Sequence, residues 1–207
     1  LFRSETFTDQ EDLNPRWKRA FDQMQSQTRR MNALVNDLLL LSRLENDKKI
    51  AKNQIIDMPS LMNQLYDDAH AYNVDYGHEL NLDIDSHCDL IGSDTELASA
   101  FSNLITNAIK YTPKGGTVTI GWHDDGEQGY FTVEDTGIGI DPKHLPRLTE
   151  RFYRVDSDRS RQTGGTGLGL AIVKHVLMQH QAHLEIESKE NRGSIFKVVF
   201  PKERLYH

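Results

Sequence analysis

The sequence predicts an α/β protein: a two-layer α/β sandwich preceded by a long helix of a dimerising helical bundle. Three observations carry that reading. From Trp17 to Leu38 the apolar residues recur at alternating steps of four and three, a helical seam. From Ile55 onward, short segments alternating with period two are interleaved with helical stretches, as expected for strands and helices packed in layers. Between the two lies Glu45 to Gln54, ENDKKIAKNQ, which is charged and aperiodic and reads as a linker. The expected division is residues 1–48 for a partial helical region, its helix spanning about 15–45, and residues 54–203 for the α/β domain.

Leu1 to Asn14 is polar and acidic, either a frayed helix end or a linker. Asn14 suits a cap and Pro15 the first helical position, so a helix is expected from Pro15. Trp17, Phe21, Met24, Thr28, Met31, Val35 and Leu38 form its seam, and Leu34, Leu41 and Leu44 widen it beyond a two-stranded coil. Such a helix needs partners. A core helix of the same domain is the alternative, but this one precedes the α/β pattern instead of alternating with it.

Ile55 to Met58 reads as a short strand, and Pro59 opens a helix with Leu61, Met62, Leu65 and Ala69 on one face. Glu79 to Asp85 alternates as a strand, and Cys88 to Ile91 forms another. Ser93-Asp94-Thr95-Glu96 has the form of a capping box and is expected to start a helix reaching about Tyr111. Thr112 to Gly116 is a turn. Strands are expected at Thr117 to Trp122 and Tyr130 to Val133, around a turn from Asp124 to Gly129. A helix over Gly167 to Gln181 and strands at Leu184 to Glu187 and Ile195 to Phe200, with Asn191-Arg192-Gly193 near their turn, complete the pattern.

The 207 residues carry a formal net charge of −7, which argues against direct nucleic-acid binding. Cys88 is the only cysteine, so an internal disulfide and a cysteine zinc cluster are excluded, and a reducing compartment is expected. No signal peptide and no run of about 18 apolar residues is present. The sequence opens on Leu1, not Met, so a piece of a longer protein is expected, from which membrane segments are missing.

Glu134 to Leu170 carries the chemistry. Asp135-Thr136-Gly137-Ile138-Gly139 and Gly164-Gly165-Thr166-Gly167-Leu168-Gly169 are glycine clusters that let backbone approach a ligand closely. The second runs into a helical pattern beginning Leu168, Leu170, Ala171 and Val173, so its amides suit phosphate. Arg151, Arg154, Arg159 and Arg161 bring positive charge beside it. Asp135 follows an apolar strand, where a lone carboxylate suits an amino-group donor such as an adenine edge. Turn glycines of an ordinary loop are the alternative for either cluster alone. The G-x-G-x-G spacing is not the dinucleotide fingerprint, and no G-K-[ST] forms a P-loop.

On the preceding helix Asn103, Asn107 and Lys110 share one face. Buried without partners, each would cost about 1–3 kcal/mol. Amide oxygens can coordinate Mg2+ and a lysine can meet phosphate, a solvent-facing stripe being the alternative.

Together these segments resemble the sequence boxes of sensor histidine kinases. Asn103 to Thr112 (NLITNAIKYT) is similar to their N box, Asp135 to Gly139 (DTGIG) to the G1 box, Arg151 to Arg154 (RFYR) to the F box and Gly165 to Leu170 (GTGLGL) to the G2 box, in the family's order. The resemblance implies the Bergerat ATP-binding fold, with ATP and Mg2+ as its ligands. It implies Asn107 as the Mg2+ ligand, Asp135 on the adenine amino group, Lys110 and Arg154 on phosphates, and Gly137, Gly139, Gly165, Gly167 and Gly169 as lid hinges. Arg159 and Arg161 are further lid cations; Asn103, Tyr111, Tyr153, Thr166, Leu168 and Leu170 complete the expected nucleotide set. Asn103, Asn107, Lys110 and Arg154 are the expected catalytic group. Arg147 to Asp156 (RLTERFYRVD), followed by Ser160 to Gly165 (SRQTGG), is similar to the phosphate-regulon branch of that family.

The same resemblance makes Pro15 to Leu44 the second helix of a dimerisation and phosphotransfer hairpin. It implies a homodimer through the bundle, a response-regulator partner, a cytoplasmic domain, and a bacterial inner-membrane parent anchored by N-terminal segments. The family's H-E-[LI]-[RK]-T-P acceptor motif is absent. His78-Glu79-Leu80 lacks the following Arg-Thr-Pro and enters a strand pattern. His175, His180 and His183 are expected at the surface. An ATP-hydrolysing clamp of the gyrase type is the competing reading, but it needs a glutamate four residues before the metal asparagine, where this chain has Asn103. A serine kinase of the anti-sigma type lacks the long helix, and a degenerate scaffold conflicts with the intact boxes.

Overall fold

The computed structural model describes residues 15–46, 54–155 and 166–206. The readings on Leu1 to Asn14, most of the linker, Arg159, Arg161 and Gly165 fall outside these residues. Helix α1 spans Pro15–Asn46. A small antiparallel sheet follows the order β1-β3-β8, formed by β1 (Gln54–Ile56), β3 (Asp89–Gly92) and β8 (Leu205–Tyr206). The main sheet runs β2-β4-β5-β7-β6. Its members are β2 (Glu79–Ile84), β4 (Thr117–Asp124), β5 (Gln128–Asp135), β6 (His183–Lys189) and β7 (Gly193–Pro201). Helices α2 (Met58–Asn73), α3 (Asp94–Tyr111) and α4 (Gly169–Gln179) form the second layer. The β2–β4 pair is parallel because the chain crosses through β3 and α3 before returning; the hairpin-linked pairs are antiparallel.

The core lies between the layers. Phe101 of α3 stacks on Phe131 of β5 at 3.8 Å between ring centroids, and Phe200 and Trp122 close edge-on around them. The outer sheet face is polar: Glu185 opposes Lys197 at 2.7 Å, and Lys197 also lies over the Tyr130 ring. Among the described residues no helix is long and apolar enough to cross a membrane.

Several boundaries differ from the sequence reading for local reasons. Met58 is helical, not extended, because Asp57 caps α2, accepting from the Ser60 N–H at 3.0 Å and its hydroxyl at 2.7 Å. The capping box at Ser93 does not form; the Ser93 N–H donates instead to His180 Nε2 at 3.0 Å. His180 is therefore a core residue and not a surface one. Its ring is fully buried, Nδ1 lies 2.7 Å from the Val176 carbonyl, and burial holds its pKa below the ordinary value. The Asp124–Gly129 turn shrinks because Asp125 accepts from the N–H groups of Glu127 and Gln128, so β4 and β5 run longer. Helix α4 starts at Gly169, since Gly167 keeps a left-handed φ of 74°. It stops at Gln179, before Gln181 turns at φ 57°.

Helix α1 does not present one uniform stripe. Leu41 and Leu44 are buried against the domain, Leu34 and Leu40 pack beside them, and Gln179 of α4 donates to the Leu44 carbonyl at 2.7 Å. The seam residues Trp17, Met24, Met31 and Val35 remain exposed. His78 lies in the buried loop entering β2, its Nε2 3.0 Å from the Ile109 carbonyl.

Candidate functional site

One cavity of about 610 Å³ opens between α3, the end of β5, the start of α4 and one face of α1. Its size falls in the range of small-molecule sites. Asn103, Asn107, Lys110 and Tyr111 line it from α3, as their spacing requires. Asp135 ends β5, paired with Val118 on one side and Ser194 on the other. Gly139, Tyr153, Arg154, Thr166, Gly167, Gly169 and Leu170 complete the set that the sequence grouped here.

Two grouped residues play a different part. Leu168 is fully buried and points into the core, not the cavity. Gly137 does not line the space either; its N–H donates to Asp135 Oδ1 at 2.8 Å. A Cβ at position 137 would meet that same carboxylate at 2.5 Å and the Tyr111 carbonyl at 2.6 Å, so the glycine lets the loop fold over the acid. Asn103 works similarly. Its amide donates to the Ser99 carbonyl at 2.9 Å, and its oxygen stands where a Cβ on residue 169 would come within 2.5 Å. Gly169 thus allows α4 to begin directly against α3.

The electrostatics are set by burial. Desolvation raises the Asp135 carboxyl from 3.8 to about 6, against the pull of the Gly137 and Ser194 N–H groups, with the Glu134 charge adding a little. Burial likewise lowers the Lys110 pKa, partly offset by the negative charge of Asp37. Arg154 keeps one terminal nitrogen, Nη2, buried without a hydrogen-bond partner among the described residues. A buried guanidinium nitrogen with nothing to donate to fits an anionic ligand. Phe152 and Gly167 are joined by their backbones: the Phe152 N–H donates to the Gly167 carbonyl at 2.8 Å, with Phe152 itself at φ 61°.

Sequence reasoning missed several contributors. Ala33 and Asp37 bring α1 to the cavity wall, and Asp37 accepts from the Thr166 hydroxyl at 2.8 Å. His144 shares a 2.6 Å hydrogen bond with the Tyr153 hydroxyl, while the Arg147 guanidinium stacks on the Tyr153 ring at 4.2 Å. Asn191 donates its N–H to the Ile138 carbonyl at 2.7 Å, pinning the first glycine loop to the β6–β7 turn. Only the last had a local signal, the Asn-Arg-Gly turn. The other contacts join residues distant in sequence or on different periodicities.

With the geometry established, comparison with known proteins identifies the class. The family described as histidine kinase-, DNA gyrase B-, and HSP90-like ATPase matches residues 92–204, and the chain belongs to it. The His Kinase A (phospho-acceptor) domain matches residues 1–47, giving the domain pairing of the histidine kinases. The phosphate regulon sensor protein PhoR of Pseudomonas aeruginosa is 53% identical over 197 residues, covering 95% of this chain and 44% of the relative. The protein of the same name from Haemophilus influenzae is 44% identical over 201 residues, covering 96% of this chain and 46% of the relative. The chain thus spans less than half the length of either. A crystal structure of full-length ShkA in complex with AMPPNP shares the fold, with a TM-score of 0.75 at 24% identity over 89% of this chain and 38% of that one.

Proposed function

We propose that this chain is the ATP-binding catalytic part of a sensor histidine kinase. It binds Mg-ATP and passes the γ-phosphoryl group to a histidine, for relay to an aspartate of a response regulator. The observation that carries the reading is the convergence on one cavity of a buried carboxylate, a helix face of amides and two cations. Asp135 in its ionised form accepts from the adenine amino group, which compensates the burial that now disfavours its charge. Lys110 and Arg154 meet phosphate oxygens, and the unpartnered Arg154 nitrogen gains an acceptor.

Asn107 would hold Mg2+ through its amide oxygen. Among the described residues no cluster of three acids, histidines or cysteines competes for the ion, which suits a site completed by phosphate oxygens and water. When bound, Mg2+ supplies neutralising charge to the polyphosphate. In the transfer the γ-phosphorus leaves the bridging oxygen of ADP and bonds an imidazole nitrogen, whose ring gives up its proton. Lys110 and Arg154 stabilise the phosphoryl charge during that passage.

The acceptor histidine belongs to another segment. None of the nine histidines lies within residues 1–47, and His78 is buried against Ile109. The exposed seam of α1 supports pairing with a further bundle helix and a dimer. The likeness to phosphate regulon sensors supports a role in phosphate signalling. The hydrolytic reading within the same family is disfavoured at Asn103: an amide cannot act as a general base, and its N–H group is already bonded to Ser99.

Calorimetric titration with ATP, with and without Mg2+, tests the assignment. Asp135→Asn should weaken ATP and ADP alike, and Asn107→Asp should alter only the Mg2+-dependent part. With labelled ATP, phosphate should reach an added bundle helix bearing the acceptor histidine and not this chain. Unchanged affinity in both variants, or acid-labile label on His78, would overturn the proposal.

A further inference from the structure

We propose that Asp37 of α1 is a built-in competitor for the phosphate end of the cavity: its carboxylate holds an anion position beside Thr166 and Lys110 and withdraws when a nucleotide's phosphates enter. The inference rests on the nucleotide reading of the site.

Two geometric facts lead to it. Asp37 and Thr166 lie 129 positions apart, yet Oδ2 accepts from the Thr166 hydroxyl at 2.8 Å. Asp37 also lines the cavity that holds Asn107, Lys110 and Arg154. Thr166 Oγ1 in turn accepts the Leu168 N–H at 3.2 Å, just ahead of the α4 N-terminus. A carboxylate that accepts a hydroxyl there, and whose charge reaches the half-buried Lys110, does what a phosphate oxygen would do in the same place. The two anions cannot share the position: like charges at such range repel strongly in a partly desolvated cavity.

The support behind Asp37 permits withdrawal. Helix α1 is held on the domain by Leu34, Leu40, Leu41 and Leu44 and by the Gln179 bond to the Leu44 carbonyl, all at its C-terminal end. Asp37 lies within that stretch, between Leu34 and Leu40, with the exposed Val35 and Leu38 beside it. Phosphate entry would therefore push on α1. By linkage the effect is reciprocal: a docked α1 lowers nucleotide affinity, and bound nucleotide loosens α1. The catalytic site would report its occupancy to the bundle through one carboxylate.

The experiment is a titration of the full chain with ADP and ATP, without Mg2+, in wild type and Asp37→Asn. Asparagine removes the charge and keeps an acceptor for Thr166. Affinity should rise on the order of three- to tenfold, more for ATP than for ADP. Asp37→Ala should move in the same direction, guarding against an altered hydrogen bond in the amide variant. Hydrogen exchange supplies a second readout: ADP should reduce protection over residues 33–44 in wild type and change it little in Asp37→Asn. Equal or weaker affinity in both variants, or protection that rises with ADP, overturns the competitor role while leaving the nucleotide site standing. A folded wild type that takes up neither nucleotide overturns the site reading, and this inference with it.

Discussion

Asp135 and Asp37 face the same cavity, but from different kinds of support. Asp135 ends a strand paired on both sides, with Phe131 and Val133 fully buried behind it. Asp37 stands on a helix that is half packed and half bare: Leu41 is 2% exposed, whereas Met31 is 67% exposed. Burial raises both carboxyl pKa values. For Asp135 the cost of that burial falls on the whole fold, because the acid cannot leave without the sheet opening. For Asp37 it falls on the docking of one helix. The floor of the cavity is part of the core, and the α1 wall is an attachment to it.

The floor should break most severely at Gly193. Its φ is 103°, and a Cβ there would overlap the Asp135 carbonyl oxygen, a backbone atom held in the sheet. Gly193→Ala should cost more than about 4 kcal/mol or abolish folding. Gly126→Ala is the matched control, with a left-handed φ of 83° and open space around it; it should cost about 1 kcal/mol. Urea unfolding of the two variants makes the comparison, and similar losses would contradict a rigid floor.

The wall should break more gently and only locally. Leu41→Ala deletes a buried contact between α1 and the domain, a change worth about 2–4 kcal/mol in a packed core. Here the loss should appear as faster hydrogen exchange over residues 34–46, with the β4, β5 and β7 amides unchanged. Loss of protection throughout the sheet would mean that α1 belongs to the same cooperative unit as the floor.

A smaller effect, of opposite sign, is expected at Asp135. Its carboxyl titrates near 6 in the fold and near 3.8 in the unfolded chain. As pH rises through that window the unfolded chain loses its proton first, so stability falls; above about pH 6 the full cost of the buried charge is present. That gap is worth about 3 kcal/mol at most, and it already includes the lowering by the Gly137 and Ser194 N–H groups. Asp135→Asn without nucleotide should therefore be more stable at pH 7 by about 1–2 kcal/mol. Its stability should also be flatter between pH 4 and 6, as read by thermal unfolding across pH. A less stable variant with an unchanged pH profile would show that the carboxylate is compensated in the fold.

The contrast between floor and wall also separates what was legible in the sequence from what was not. The main strands show their period-two pattern, and Asp135 stands out as an acid between an apolar strand and a glycine pair. Asn103, Asn107 and Lys110 declare a shared face through helical spacing alone. Asp37 has no such signature: within α1 it is an ordinary polar position, and its partner Thr166 lies in a different periodic segment. His180 was misread for the same reason, since nothing near it in sequence indicates that it accepts from the Ser93 N–H. Strand β8 is two residues long and carries no periodicity to read. The heptad pattern showed that α1 buries an apolar face, but not that its two ends treat that face differently. Periodicity reports that a surface will be covered; the covering partner is a long-range fact.

The smallest effect on folding should come from the bare end of α1. Val35 is 52% exposed and Met31 more so, and neither belongs to the cluster that fixes α1 to the domain. Met31→Lys and Val35→Lys should therefore change unfolding stability by no more than about 0.5 kcal/mol. Their effect should lie in association. Trp17, Phe21, Met24, Met31, Val35 and Leu38 make a continuous apolar seam on a helix, and an exposed seam of that length draws a partner. In wild type, light scattering should show a mass that grows with concentration, and the paired lysine substitutions should hold it at 23.7 kDa. Leu41→Ala is the informative counterpart: it frees α1 from the domain without touching the seam, so association should persist or increase. If both classes of variant abolish association equally, the two ends of α1 act as one surface, not as a packed end and a free one.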